Sequence, residues 1–137
     1  MTFEDLMSIL GPFATHTNTD DQSLAVVCYP NGLNKKWRGR TMSIPPVGKE
    51  HDYISQMINH GNGIVLVKAK TNKPWIQDLL KEADGTLFIE GNLPHQKDGP
   101  TIGSGTGYVM SAFGIENLNK IKRTLELKII KGQIVYG

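Results

Sequence analysis

The sequence predicts a single α/β domain spanning residues 1–137, with a sheet that is parallel at its centre and antiparallel at one edge. Three observations carry this expectation. Helix-like and strand-like runs alternate through the middle of the chain, as crossover connections between parallel strands require. Gly63-Ile64-Val65-Leu66-Val67-Lys68-Ala69 is an almost unbroken apolar run, the pattern of a strand buried on both faces of a parallel sheet. The later strand-like runs are joined by segments too short or too irregular to hold crossover helices. A length of 137 residues suits one domain with one core.

The elements follow in order. From Thr2 to Leu10, the apolar residues Phe3, Leu6, Met7 and Leu10 recur at helical spacing; Thr2 can cap the start and Gly11-Pro12 stops the run. A brief strand over Pro12 to Thr15 leads into a loop to Ser23, whose Thr, Asn and Asp side chains compete for backbone hydrogen bonds. Leu24 to Tyr29 is short, apolar and partly β-branched, which fits a buried strand. Thr41 to Ile44 reads as a strand stopped by Pro45-Pro46, since neither proline donates to a ladder. After Gly48, the residues Tyr53, Ile54, Met57 and Ile58 share one helical face, and Gly61-Asn62-Gly63 ends that helix. The apolar run at 63–69 is the central strand. Lys73-Pro74 opens a helix that buries Trp75, Ile76, Leu79, Leu80 and Ala83. Strands at Thr86 to Glu90 and Thr106 to Phe113 flank a Gly- and Pro-rich loop from Gly91 to Gly105. A short helix from Ile115 to Ile121 then precedes Leu125–Ile130, Lys131-Gly132 and Gln133–Tyr136, spaced as a terminal edge hairpin.

Composition narrows the function classes. Fifteen Lys and Arg against thirteen Asp and Glu leave +2, so phosphate affinity has to come from local clustering. The lone Cys28 excludes an internal disulfide and offers no cysteine metal cage, which points to a reducing cytoplasm. No apolar run approaches the roughly 20 residues of a bilayer span. Membrane and secretory roles are therefore not expected. His51, His60 and His95 lack partners at ligand spacing, so no metal is expected either.

Ligands of open α/β sheets gather beyond the carboxyl ends of the strands. Ser43-Ile44-Pro45-Pro46-Val47-Gly48 is such a place, either a plain strand terminator or a stiff corner with fixed carbonyls. From Trp37 to Phe113 the order of landmarks resembles the phage-type DNA adenine methyltransferases. Gly32-Leu33 precede Trp37 and Gly39; a strand delivers Ile44-Pro45-Pro46-Val47 where that family has Asn or Asp, Pro, Pro and an aromatic; Gly48 and a helix follow. An apolar strand with the polar tail Val65–Lys70 then leads to Trp75, Phe88-Ile89-Glu90-Gly91 ends in glycine, and Ser104 to Phe113 feeds a last hydrophobic strand. More weakly, Thr2 to Phe13 resembles the family's opening helix and strand.

The resemblance implies a Rossmann-like, methyltransferase-type three-layer sandwich that uses S-adenosylmethionine and DNA. It assigns Ile44, Pro45, Pro46 and Val47 to the target base, and Phe13, His16 and Asn18 to the cofactor. The departures concern chemistry. In the family, an Asn or Asp side chain and a proline carbonyl accept the two hydrogens of the adenine amine while an aromatic stacks on the flipped base. Ile44 has no acceptor and Val47 no ring. Near the cofactor, His16 stands for a buried acid, and Asn18 and Thr19 for small apolar residues. Lys70, Asn72 and Asn92 replace residues that are usually Arg, Asp and Arg.

Two further segments bear on binding. Gly99 to Gly107 lacks the Gly-Lys-Ser/Thr ending of a phosphate loop and runs into a strand, which favours a connector. Lys35, Lys36, Arg38 and Arg40 surround Trp37, either as a phosphate grip with a stacking ring or as a solvated loop over a core tryptophan. Lys68, Lys70 and Lys73 follow the central strand at its carboxyl end. Two functions therefore compete: a DNA adenine methyltransferase, or a non-catalytic relative that binds nucleic acid or protein as a phage accessory factor, for example against host restriction. An interaction domain sharing only the sheet is the third.

Overall fold

The computed structural model describes residues 3–91 and 107–137; Thr2, Asn92, His95 and all of the Gly99–Gly107 segment except Gly107 lie outside them. The elements are α1 (Phe3–Leu10), β1 (Phe13–His16), β2 (Ala25–Cys28), β3 (Thr41–Ser43), α2 (Glu50–His60), β4 (Gly63–Lys68), α3 (Pro74–Glu82), β5 (Gly85–Glu90), β6 (Tyr108–Phe113), α4 (Ile115–Glu126) and β7 (Lys131–Tyr136). Among the described residues, seven strands form one sheet in the order β2-β1-β3-β4-β6-β5-β7. The first four run parallel, β6 pairs antiparallel with both β4 and β5, and β7 pairs antiparallel with β5.

Alternation along the strands divides the core into two layers. Met42, Ile64, Leu66, Leu87 and Met110 face α1 and α4, where they meet Leu6, Leu10, Leu118 and Ile121. Val65, Val67 and Val109 face the opposite way, onto Tyr53, Ile54 and Met57 of α2 and Ile76 and Leu79 of α3. The result is helices on both sides of a mixed sheet. β4 is its hinge of direction: buried along Gly63–Val67, it has a parallel neighbour on one side and an antiparallel one on the other.

Local chemistry sets the helix ends that matter for the site. Gly61 takes φ 74, a left-handed value, and its N–H returns to Met57 O at 2.7 Å, closing α2. Pro74 sits in the first turn of α3, where a missing N–H costs nothing.

The amino edge of the sheet is tied by one side chain. Arg40, just before β3, donates from Nη2 to Leu10 O (2.6 Å), from Nη1 to Pro12 O (2.7 Å) and from Nε to Asn117 Oδ1 (2.9 Å). Its guanidinium carbon lies 4.9 Å from the centre of the Phe13 ring. Asn117 is itself buried and donates to Asn62 Oδ1 and Phe113 O, so α1, the β3 entry, the turn before β4 and α4 meet at one knot.

Three expectations are corrected. The segment at 24–29 is a strand at the sheet's outer edge and not a buried one; Val26 is 84% exposed because the eight residues between β1 and β2 form no covering helix. Helix α4 continues from Ile121 to Glu126, since Leu118, Ile121 and Thr124 extend its buried face. There is consequently no terminal hairpin: residues 127–130 form a turn region, and the last strand finds its partner in β5, 41 residues upstream at the Glu90–Lys131 pair.

Candidate functional site

The chain leaves β1 outward to β2 and returns on the other side to β3, so the topological switch lies between β1 and β3, where the crevice of an open α/β sheet is expected. His16, Asn18 and the double proline are at its carboxyl rim, whereas Phe13, the first residue of β1, lies at the amino edge under Arg40 and is not brought to the crevice.

The crevice is filled by the chain's own side chains. Thr17, just past β1, and Ser43, the last residue of β3, are fully buried, with their hydroxyl oxygens 3.0 Å apart. Thr17 also donates to Asn18 Oδ1. Asn18 Nδ2 donates to Tyr53 Oη (3.1 Å), which receives the Leu33 N–H as well (3.2 Å) and donates to Asn31 Oδ1 (3.1 Å). Gly32 closes the lid: its N–H binds Thr17 O at 2.8 Å, and a side-chain Cβ in its place would stand 2.7 Å from that oxygen. Only glycine fits there.

His16 is 2% exposed. Its Nδ1 accepts the Asn18 N–H at 3.1 Å, which leaves the ring proton on Nε2, a buried atom with no partner among the described residues. Burial pulls its pKa down to about 4, against the opposing pull of the Asp21 carboxylate. The ring is therefore neutral at physiological pH. Phe13 is buried under Arg40 and turns its remaining surface to the groove between α1 and β2 rather than to the crevice.

One strand further along, the carboxyl rim opens. Ile44 and Pro45 are half-buried, Pro46 and Val47 exposed, and Val47 is 75% accessible. Pro46 O accepts the Lys49 N–H at 3.0 Å, so that carbonyl is spent on the turn into α2. Val47, Gly48, Glu50 and His51 form one wall of a cleft of about 320 Å³; Lys70, Lys73 and Trp75 form the other. Lys70 and Lys73 are thus brought to the same concavity as the proline corner, whereas Lys68, the last residue of β4, shares the face of Ile64 and Leu66 on the other side of the sheet and does not line it.

The second basic group does not join them. The indole of Trp37 is buried, donates to Gly32 O at 2.9 Å and stacks 6.3 Å from Tyr53, so it is a core ring and not a platform for a base. Arg40 is spent at the amino-edge knot, and Arg38 is anchored through its backbone to Thr15 Oγ1. Lys35, Lys36 and Arg38 remain as exposed cations on the loop that returns toward the amino edge. The stack and the buried guanidinium explain the difference: a basic run around a tryptophan looks the same in sequence whether its ring faces in or out.

Glu50, His51 and Trp75 complete the cleft, and Thr17, Asn31, Ser43 and Tyr53 the filled crevice, though the sequence assigned none of them a binding or catalytic role. Tyr53 had a signal, being the one polar-tipped residue on the apolar face of its helix. Two larger concavities lie elsewhere. A groove of about 550 Å³ along α2 is lined by Asn34, Asp52, Ser55 and Gln56, of which Gln56 is already bonded to Asn34 N and Lys35 O. A groove of about 640 Å³ between α1 and β2 lies where the β1–β2 connection lacks a helix. Neither gathers cations, and neither is at the switch.

No protein-family model, curated protein or solved structure matches this chain. Among the described residues no helix is long and apolar enough to cross a membrane, and no group of three His, Cys, Asp or Glu side chains is placed to hold a metal.

Proposed function

We propose that this chain is a methyltransferase-shaped domain that binds nucleic acid through its carboxyl rim and transfers no methyl group. The observation that carries the reading is the contrast between neighbouring strand ends: the crevice at β1–β3 is packed shut, while the cleft at β3–β4 is open and flanked by Lys70 and Lys73. Methyl transfer from S-adenosylmethionine would need room for a nucleoside at the first place and two acceptors plus a stacking ring at the second. Thr17, Ser43 and Gly32 leave no such room, and β2 ends in Cys28-Tyr29-Pro30 without a carboxylate for ribose hydroxyls. Ile44 and Val47 supply neither acceptor nor ring. What remains is apolar wall, backbone and the Lys70 and Lys73 cations, with the Glu50 carboxylate engaged by the Gly48 N–H at 2.8 Å, which suits a phosphodiester with a base laid against the exposed Val47.

The test pairs two titrations. Fluorescence anisotropy with a labelled 20-base-pair duplex at 50 mM salt is expected to show binding that weakens in Lys70→Gln/Lys73→Gln. Calorimetry with millimolar S-adenosylmethionine is expected to show no heat. Binding unaffected by those two substitutions, or cofactor heat followed by labelled methyl on DNA, would overturn the proposal, the second outcome in favour of an active enzyme.

A further inference from the structure

The positive excess of this chain is concentrated at its end. Residues 120–131 hold Lys120, Lys122, Arg123, Lys128 and Lys131 against Glu126 alone, while the other residues hold ten cations and twelve acids. Of these, Lys128 and Lys131 are exposed and flank the turn between α4 and β7. Register places that turn on the carboxyl rim: Lys131 lies opposite Glu90, the last residue of β5, and β5 runs in the direction of β4. The cleft lysines Lys70 and Lys73 follow β4 on the same rim. Between β4 and β7 stand β6 and β5, so three inter-strand steps of about 4.8 Å put the ends of the two strands roughly 14 Å apart. That is close to the width of a DNA major groove, about 12 Å from one backbone to the other.

We infer that Lys128 and Lys131 form a second phosphate-binding point for duplex DNA, taking one backbone while Lys70 and Lys73 take the backbone across the groove. The inference rests on the nucleic-acid reading of the cleft. A duplex fits better than an anionic bilayer because a bilayer anchor needs apolar and basic side chains on one side. Here Leu127 is the one large apolar side chain exposed in the turn, too little for an anchor, and the exposed Val135 and Tyr136 lie at the far end of β7, opposite Thr86 and Gly85 on the amino edge. Among the described residues Glu90 is the acid nearest this path, exposed and paired with Lys131 across the strands.

The salt dependence of duplex binding tests this, because each neutralised phosphate adds about 0.9 to the slope of log K against log salt. Lys128→Gln/Lys131→Gln, at exposed positions, is expected to lower the slope by about 2 with an unchanged melting temperature. Glu90→Gln is expected to tighten binding several-fold, which a purely structural role for this turn would not produce. A wild-type chain that binds, responds to Lys70→Gln/Lys73→Gln and ignores Lys128→Gln/Lys131→Gln would overturn this inference and leave the cleft reading standing. A wild-type chain that binds no duplex removes both. Sedimentation with phosphatidylserine vesicles that depends on Lys128 and Lys131, with the duplex slope intact, would assign the turn to a membrane instead.

Discussion

At the scale of single residues, the buried groups make the sharpest demands. Neutral His16 is stable inside the fold only while it stays unprotonated. Its pKa is near 4 in the folded chain and near 6.5 unfolded, so the unfolded state binds the extra proton first as pH falls. The stabilisation is complete above pH 6.5, declines between 6.5 and 4, and amounts to about 3 kcal/mol at 1.4 kcal/mol per pH unit. Urea unfolding at pH 7 and pH 4.5 is expected to show most of that difference, and His16→Gln to flatten it. An equally steep profile in the variant would assign the acid sensitivity to other groups. Gly32 makes a geometric demand. A methyl group there meets the Thr17 carbonyl, so Gly32→Ala is expected to cost about 1 to 3 kcal/mol, measured by denaturant midpoint. A smaller loss would mean that the 29–34 loop lifts off freely and the crevice can open.

At the scale of elements, legibility tracked how local each cause was. Helices α2 and α3 were readable because Tyr53, Ile54 and Met57, and Ile76 and Leu79, fall on one face and glycine or proline marks an end. Strand β4 was readable because both its faces are covered, which writes an unbroken apolar run. The edges were not. Leu24–Tyr29 has the composition of an interior strand, but exposure there depends on whether the β1–β2 connection carries a helix, a fact about another segment. The end of α4 and the pairing of β7 misled for a similar reason: Lys131-Gly132 is good turn chemistry, yet β5 offers β7 a six-residue ladder that a short hairpin with 125–130 does not match. The site divided in the same way. Pro45-Pro46 and the trailing lysines were legible, being set by their own strands; Trp37 and Arg40 were not, because ring stacking on Tyr53 and a guanidinium shared by Leu10, Pro12 and Asn117 come from distant segments.

At the scale of the whole molecule, the sheet keeps two strand ends apart, one sealed and one open. On the proposed reading, repairing the open end alone does not bring methyl transfer. Ile44→Asn/Val47→Tyr restores an acceptor and a ring at the proline corner, yet labelled S-adenosylmethionine is expected to transfer no methyl to duplex DNA. Transfer by that double variant would show that the crevice admits cofactor after all.

The knot at Arg40 also has a kinetic side. It joins residues 77 positions apart, Arg40 and Asn117, with Leu10 and Pro12 drawn in from the start of the chain. Contacts of such long sequence separation close large loops, and a link that forms only after both halves have docked slows escape from the native basin without hastening entry to it. Arg40→Met should then leave the refolding limb of a chevron plot nearly still while raising the unfolding limb by tenfold or more. The arginine would be a latch on lifetime: a protein with the same shape, lost sooner.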